Sequence, residues 1–149
     1  MEVFSGDGVQ AVPKPGYPVG MSTQRELNIQ RAHAVLDWNR RHLRHDAVLA
    51  ETDITQCFAQ RFVVEPNGRH YEANPANYLE FINGMKASMT GIEYQIVHTV
   101  ADEESAMFDM VAQISHTDGR SERFVAMLLM RFDEHGKVVL WKETYLPAP

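Results

Sequence analysis

The sequence predicts an α+β protein in which helices pack on the concave face of a strongly bent antiparallel sheet. Apolar side chains recur about every 3.6 residues near residues 22–48 and 75–89, which predicts two long helices. From residue 92 onward the apolar residues alternate with a period of two, which is typical of strands. Helices segregated from an antiparallel sheet define the α+β class, and a long bent sheet of this kind tends to form a cone around a pocket.

Length and composition fit one globular domain and exclude several classes of protein. The chain has 149 residues, of which 44% are hydrophobic and 23% charged, and Cys57 is the single cysteine. Disorder of the whole chain, an internal disulfide and an iron–sulfur cluster are therefore excluded. A net charge of −6 argues against nucleic-acid binding, and no run of about 18 apolar residues predicts a membrane span. We expect a cytoplasmic protein, because we find no signal-peptide pattern.

The first half of the chain reads as an arm, two helices and a hairpin. Residues 1–20 are rich in glycine and proline, which predicts a flexible arm before a single domain over residues 21–149. Thr23 and Glu26 form the pattern of a capping box at the start of the first helix. A short helix is expected over residues 54–59, capped by Thr52 or Asp53, and a strand over residues 60–65.

Turn and cap signals place the remaining elements. Pro66-Asn67-Gly68 predicts a hairpin, and Asn74-Pro75 is a helix start that combines a capping Asn with Pro at the first helical position. Gly91 is expected to end that helix. Strands follow over residues 92–98, 106–116, 122–132 and 137–146, separated by a polar turn, by a tight turn at Asp118-Gly119 and by a turn at Glu134-His135-Gly136.

Three segments give the chain a resemblance to a known superfamily. Glu65-Pro66 follows a short apolar strand, Asn74-Pro75 opens a helix, and residues 131–139 form an R-F-x-x-x-G-K-V-V hairpin that leads into Trp141-Lys142-Glu143-Thr144-Tyr145. These features resemble the nuclear transport factor 2-like (NTF2-like, or cystatin-like) superfamily. It includes ketosteroid isomerase, limonene epoxide hydrolase and the SnoaL-like cyclases. The resemblance covers about residues 24–146 and implies a cone-shaped barrel.

The resemblance also implies a function and two catalytic carboxylates. It implies a cofactor-independent enzyme that binds a small hydrophobic molecule in an internal cavity and moves a proton in an isomerisation, cyclisation, dehydration or hydrolysis. Glu65 matches the position of the isomerase base, and Glu143 matches an acidic residue in the pocket of the epoxide-hydrolase-like members. Leu128 stands where the isomerase has its oxyanion-hole acid, so steroid isomerisation is not expected.

Other candidate residues come from the predicted strands. His98 ends an apolar face formed by Ile92, Tyr94 and Ile96 and is a third candidate for catalysis. His42, His45 and Asp46 have helical spacing, but no second cluster accompanies them, so no metal site is expected. The residues that we expect to line the pocket are Trp38, Tyr94, Met110, Leu128, Met130, Trp141 and Tyr145.

The placement of these candidates depends on which face of the sheet each one occupies. Simple alternation through tight turns places the His98 face and the face of Trp141, Glu143 and Tyr145 on opposite sides, and one bulge would reverse that. Both faces are apolar, which predicts a homodimer through the sheet. Two alternatives remain open, a non-catalytic ligand-binding or dimeric interaction domain and a small subunit resembling that of ring-hydroxylating dioxygenases.

Overall fold

The computed structural model of the protein describes residues 23–149 and confirms the α+β class. The arm predicted for residues 1–20 lies outside this range, and the single domain over residues 21–149 stays a prediction. In the part described, three helices and six strands follow one another in the order α1 (Gln24–His42), α2 (Glu51–Ile54), β1 (Phe58–Pro66), β2 (Tyr71–Ala73), α3 (Pro75–Lys86), β3 (Met89–Ala101), β4 (Ser105–His116), β5 (Ser121–Phe132) and β6 (Val138–Pro147).

The first helix begins at the predicted cap and ends earlier than predicted. The Thr23 hydroxyl accepts a hydrogen bond from the Glu26 N–H at 3.1 Å, and the Glu26 carboxylate accepts one from the Thr23 N–H at 2.7 Å. The helix ends at His42 rather than near residue 48. Beyond it, the His45 N–H donates to the Met89 carbonyl at 2.7 Å, which bonds this segment to β3 instead of to the helix.

The two shorter helices also differ in their ends. The Asp53 carboxylate accepts from the Ala50 N–H at 2.8 Å, so α2 begins before the predicted cap positions. It ends at Ile54, because the chain enters β1 at Phe58. The third helix begins at Asn74-Pro75 as predicted. The side-chain oxygen of Asn74 accepts a hydrogen bond from the Asn77 N–H, and the side-chain oxygen of Asn77 accepts one from the Asn74 N–H.

The six strands form one curled sheet that folds around the helices. Their order is β2-β1-β6-β5-β4-β3, and every pair is antiparallel except β1 and β6, which run parallel. The parallel pair departs from the antiparallel sheet that the sequence predicted. The first helix packs on β3 and β4, and the third packs on β1. The core lies between these layers and includes Leu36, Trp38, Phe58, Ile82, Phe108 and Leu128.

The register corrects the expected assignment of faces. Tyr94 lies opposite Ala112 on β4, and Leu128 on β5 lies opposite both Phe108 and Glu143. Residues directly opposite each other share a face, so Tyr94 and Glu143 lie on one side of the sheet, which we call the inner face. The β4–β5 connection has three residues between His116 and Arg120, whose main chains are bonded, rather than the expected two. Because side chains alternate between the two faces of a strand, one extra residue in the turn moves every side chain beyond it to the opposite face of the sheet.

Candidate functional site

A cavity of about 240 Å³ lies between the inner face of the sheet and the first and third helices. Most of its wall is apolar and consists of Leu43, Pro66, Phe81, Ile82, Met85, Met89, Ile92, Ala112, Ile114 and Phe124. The polar groups that reach it are carried by Asn39, Tyr78, Tyr94, Trp141, Glu143 and Tyr145. A mostly apolar cavity with a few convergent polar groups is the usual form of a small-molecule site.

The strand around Glu143 is held in place from the β1–β2 turn. Asn67 has a φ of 49°, a left-handed conformation that Asn tolerates better than most residues. Its N–H donates to the Glu143 carbonyl at 2.7 Å, and its side-chain oxygen accepts from the Tyr145 N–H at 2.8 Å. These two bonds hold the β6 main chain between Glu143 and Tyr145, immediately after the residue that carries the carboxyl group.

The Glu143 carboxyl group lies in a poorly solvated place. Burial raises the pKa of Glu143 above its usual range, because the charged form loses its water. The Trp141 indole N–H donates to Oε1 at 3.3 Å and acts in the opposite direction, but burial dominates. No Lys, Arg or His of the described chain lies within 4.0 Å of this carboxyl, so no ion pair offsets the loss of solvation. Such a group gains and loses a proton closer to neutrality than an exposed Glu.

Two tyrosine hydroxyls stand near this carboxyl. The Asn39 amide donates to the Tyr94 hydroxyl oxygen at 2.9 Å, so the Tyr94 O–H remains available as a donor. Burial raises the pKa of Tyr94, and the charge of Glu143 adds to the increase. Burial likewise raises the pKa of Tyr78, with further contributions from Tyr94 and Glu143. Both hydroxyls therefore stay protonated and can donate to an oxygen of a bound molecule.

The residues expected to line the pocket fall into two groups. Tyr94, Trp141 and Tyr145 lie on the cavity wall beside Glu143. The others are fully buried in the hydrophobic core and are not among the wall residues: Trp38, Met110, Leu128 and Met130. Leu128 illustrates the difference, since it lies directly opposite Glu143 on the inner face but is fully buried in the core cluster.

Glu65 lies outside this cavity. Its carboxylate is 2.7 Å from His70 Nδ1 and 4.0 Å from Lys142 Nζ, at the hairpin end of β1. The next residue, Pro66, is the one that reaches the cavity wall. The structure therefore separates the two predicted carboxylates, and a role for Glu65 in proton transfer stays a prediction.

His98 also lies away from the cavity, on the side of the sheet opposite Tyr94, whereas alternation placed these two residues on one face. The β3–β4 register shifts between Ile96 and His98, so a bulge at Val97 turns His98 to the opposite side of the sheet. Its side chain is 73% exposed and bonds through Nδ1 to the Asp109 carboxylate at 2.8 Å. Its predicted catalytic role gains no support from this position.

Asn39 and Tyr78 were not singled out as site residues in the sequence. The signal for Asn39 was its place on the apolar side of the first helix, where a buried amide needs a partner inside the molecule. Tyr78 was assigned only to the apolar side of its helix, and nothing local shows that this side faces a cavity. Asn67 was seen as a turn residue, and its bonds to β6 depend on the parallel pairing of β1 with β6.

Two features are absent from residues 23–149. No cluster of three or more potential metal-binding side chains occurs among them. No helix within the same range is long and apolar enough to cross a membrane.

Comparison with known proteins identifies the fold. No family profile matches the sequence, and no curated protein matches it either. Among solved structures, an epoxide hydrolase of the LEH-like type from M. tuberculosis superposes with a TM-score of 0.66 at 14% identity, over 85% of this chain and 83% of that one. A protein from Jannaschia sp. CCS1 described as a SnoaL-like polyketide cyclase gives 0.64 at 9% identity, over 85% and 89%.

An NTF2-like protein from Anabaena variabilis gives a TM-score of 0.65 at 12% identity, over 87% of this chain and 96% of that one. The chain therefore has the NTF2-like fold that the sequence segments predicted. Identities this low establish the fold alone, because this architecture carries many different activities.

Proposed function

We propose that this NTF2-like chain is an enzyme that binds a small hydrophobic molecule in the inner cavity and transfers a proton through Glu143. The observation that carries the proposal is the Glu143 carboxyl group, which lies half-buried in the wall of an apolar cavity without a cationic partner among the described residues. A carboxyl group in that setting can act as a general acid or a general base near neutral pH.

The Tyr94 hydroxyl is suited to stabilise the negative charge that such a proton transfer creates. When a carboxylate removes a proton from water or from carbon, negative charge develops on an oxygen elsewhere in the substrate. The Tyr94 hydroxyl, oriented by Asn39, is a neutral donor that can stabilise that oxygen. Carboxyl and hydroxyl groups of the chain itself are sufficient for this chemistry, so the proposal includes no cofactor.

The structural neighbours suggest which reactions to assay first. One of them is an LEH-like epoxide hydrolase and another is described as a SnoaL-like polyketide cyclase. In epoxide hydrolysis, Glu143 would take a proton from a water molecule. The oxygen of that water would bond to a carbon of the epoxide, and the carbon–oxygen bond of the ring would break. The released alkoxide would take a proton from the Tyr94 hydroxyl, and the proton held by Glu143 would then return to the Tyr94 oxygen through water, which restores both groups. Conversion of styrene oxide to its diol is therefore the first reaction to test.

A titration tests the proposal without knowledge of the substrate. In protein labelled with ¹³C at the glutamate carboxyl groups, one signal is expected to titrate well above the others, because burial disfavours its ionised form. That signal is expected to disappear in Glu143→Gln and to persist in Glu103→Gln, which changes an exposed residue of the β3–β4 turn. If the Glu143 signal titrates with the exposed glutamates, the proposed proton transfer loses its basis.

We also propose that the chain forms a homodimer through the outer face of the sheet, the side opposite Tyr94 and Glu143. Val125 and Met127 on β5 are 40% and 50% exposed there, at the centre of the sheet. Asp109 lies on this face toward β3, and Lys142 lies on it toward β6. A two-fold axis parallel to the strands would bring the β4 side of one copy over the β6 side of the other and would stack the apolar centres formed by Val125 and Met127.

Met127→Glu is expected to convert such a dimer into a monomer, because it places an anion at the centre of an apolar contact. Light scattering coupled to size exclusion would report the mass, 17.0 kDa for the monomer and twice that for the dimer. Glu103→Gln is the matched control, since this exposed residue lies in the β3–β4 turn, away from the centre of the face. A wild-type protein that runs as a monomer at all concentrations would overturn the proposed dimer.

A further inference from the structure

A second cavity adjoins the inner one and is larger. It has a volume of about 590 Å³ and lies outside the inner cavity, between the β1–β2 hairpin and α3. The two cavities share wall residues from β1, α3 and β6, namely Pro66, Tyr78, Phe81, Met85 and Tyr145. The two cavities therefore adjoin across these five side chains.

The rim of the outer cavity is apolar and open to solvent. Tyr71, Phe81 and Met85 are 51%, 55% and 39% exposed, and all three line this cavity. Large apolar side chains grouped around a concave surface are typical of a ligand-binding groove. They offer contact area to an apolar chain that is longer than the inner cavity can hold.

Among the residues that the structure describes, Arg69 is the one cationic side chain in the walls of the two cavities. Its Nε donates to the Pro66 carbonyl at 3.2 Å, and this bond does not use the N–H groups of the two terminal guanidinium nitrogens. Within residues 23–149, no carboxylate lies within 4.0 Å of this guanidinium. Glu72 lines the same cavity without pairing with Arg69 at that distance. An arginine without an acidic partner is suited to bind a carboxylate.

The two ends of the combined site differ in the charge that they accept. At the inner end, Glu143 lies half-buried among apolar side chains, and a second anion there would lose its water and face a like charge. At the outer end, an anion would keep partial contact with water and meet Arg69. An amphipathic anion therefore binds in one direction, with its apolar end inward.

We propose that the two cavities form one elongated site for an apolar molecule that ends in a carboxylate, with the carboxylate at Arg69 and the apolar end beside Glu143. The inference rests on the proposed function for the reaction at Glu143, whereas the binding itself does not require catalysis. Arg69 thus determines specificity and takes no part in proton transfer.

Calorimetric titration with three ten-carbon ligands tests this site. Wild-type protein is expected to bind decanoate more tightly than decan-1-ol and decylamine. Arg69→Gln is expected to weaken decanoate binding about tenfold, since a charge-assisted hydrogen bond is lost, and to leave decan-1-ol binding unchanged. Glu72→Gln, the matched control, is expected to strengthen decanoate binding, because it removes a like charge from the same cavity. Hexanoate, which is too short to span both cavities, is expected to bind more weakly and to remain sensitive to Arg69→Gln, because its carboxylate takes the same place at Arg69.

Other outcomes would overturn the inference in identifiable ways. Tightest binding of decylamine, weakened by Glu72→Gln, would show that the outer cavity selects a cation. Equal binding of all three ligands, unaffected by Arg69→Gln, would show that it selects no charge. No binding of any of them would exclude the elongated site. Glu143→Gln separates this inference from the proposed function, because it is expected to retain decanoate binding while it abolishes proton transfer.

Discussion

Glu143→Gln is expected to lower the rate of the catalysed reaction by about 10²–10⁴-fold, the usual contribution of a positioned general acid or base. Glutamine has nearly the same shape and can still accept the Trp141 indole hydrogen bond, so the cavity keeps its form. It cannot gain or lose a proton at neutral pH. The measurement is the initial rate of styrene oxide hydrolysis, or of whichever reaction the wild-type protein is found to catalyse.

The same substitution is expected to change how stability depends on pH. Burial raises the pKa of Glu143 in the folded protein, so the folded state holds this proton more tightly than the unfolded chain does. That contribution is fully present below the unfolded pKa and is lost as the pH rises through the folded pKa. Relative to wild type, Glu143→Gln should therefore gain stability over that interval, by about 1.4 kcal/mol for each unit between the two pKa values. Urea unfolding between pH 4 and pH 9 measures the difference.

Two further variants decide how the rate loss is interpreted. Glu103→Gln removes an exposed carboxylate in the β3–β4 turn and controls for a general change in charge. Glu65→Gln tests the other carboxylate that the resemblance suggested. If Glu65→Gln abolished the reaction and Glu143→Gln did not, the proton would be carried outside the inner cavity, and the proposed mechanism would be wrong.

The fold was predictable because its signals are local. The capping residues Thr23 and Asn74 and the alternation from residue 92 onward each act over a few residues, and the structure contains the helices and strands that they predict. The end of α1 was not predictable. It depends on the buried Lys86 ammonium, which donates to the carbonyls of Arg44 and Ala47 and so holds the segment after the helix. The sequence around residue 44 gives no sign of Lys86, which lies about forty residues further along the chain.

The site was predictable only in part, because its assembly depends on register. Glu143 stands two residues from both Trp141 and Tyr145, so on a strand the three side chains share one face, and this much is visible in the sequence. Whether Tyr94 faces it was decided by the length of the β4–β5 connection, and the position of His98 was decided by the bulge at Val97. A single inserted residue reverses a face without changing composition or period. The partner of Tyr94, the Asn39 amide, joins elements 55 residues apart in the chain.

Trp38→Ala is expected to destabilise the folded protein by about 3–5 kcal/mol, the cost of removing a large aromatic side chain from a packed core. Trp38 is fully buried, and its ring packs edge-on against Phe58 with 5.9 Å between centroids. Its indole N–H donates to the Asp53 carbonyl at 2.9 Å and thereby joins α1 to α2. The loss is a large fraction of the 5–15 kcal/mol that typically stabilises a domain, so we expect a clear shift of the urea midpoint.

Trp38→Phe separates packing from hydrogen bonding at this position. It keeps most of the buried ring and removes the indole donor, while the Asp53 carbonyl still accepts from the Gln56 N–H at 3.3 Å, so a smaller loss of about 1–2 kcal/mol is expected. Because the Trp38 side chain lies in the core and outside the cavity wall, decanoate affinity per folded molecule should stay unchanged in Trp38→Phe. Trp141→Phe should weaken that affinity, since Trp141 lines the cavity and its indole bonds to Glu143. An equal loss of affinity in both variants would place Trp38 in the binding site, as the sequence first suggested, and would contradict the separation of core and cavity.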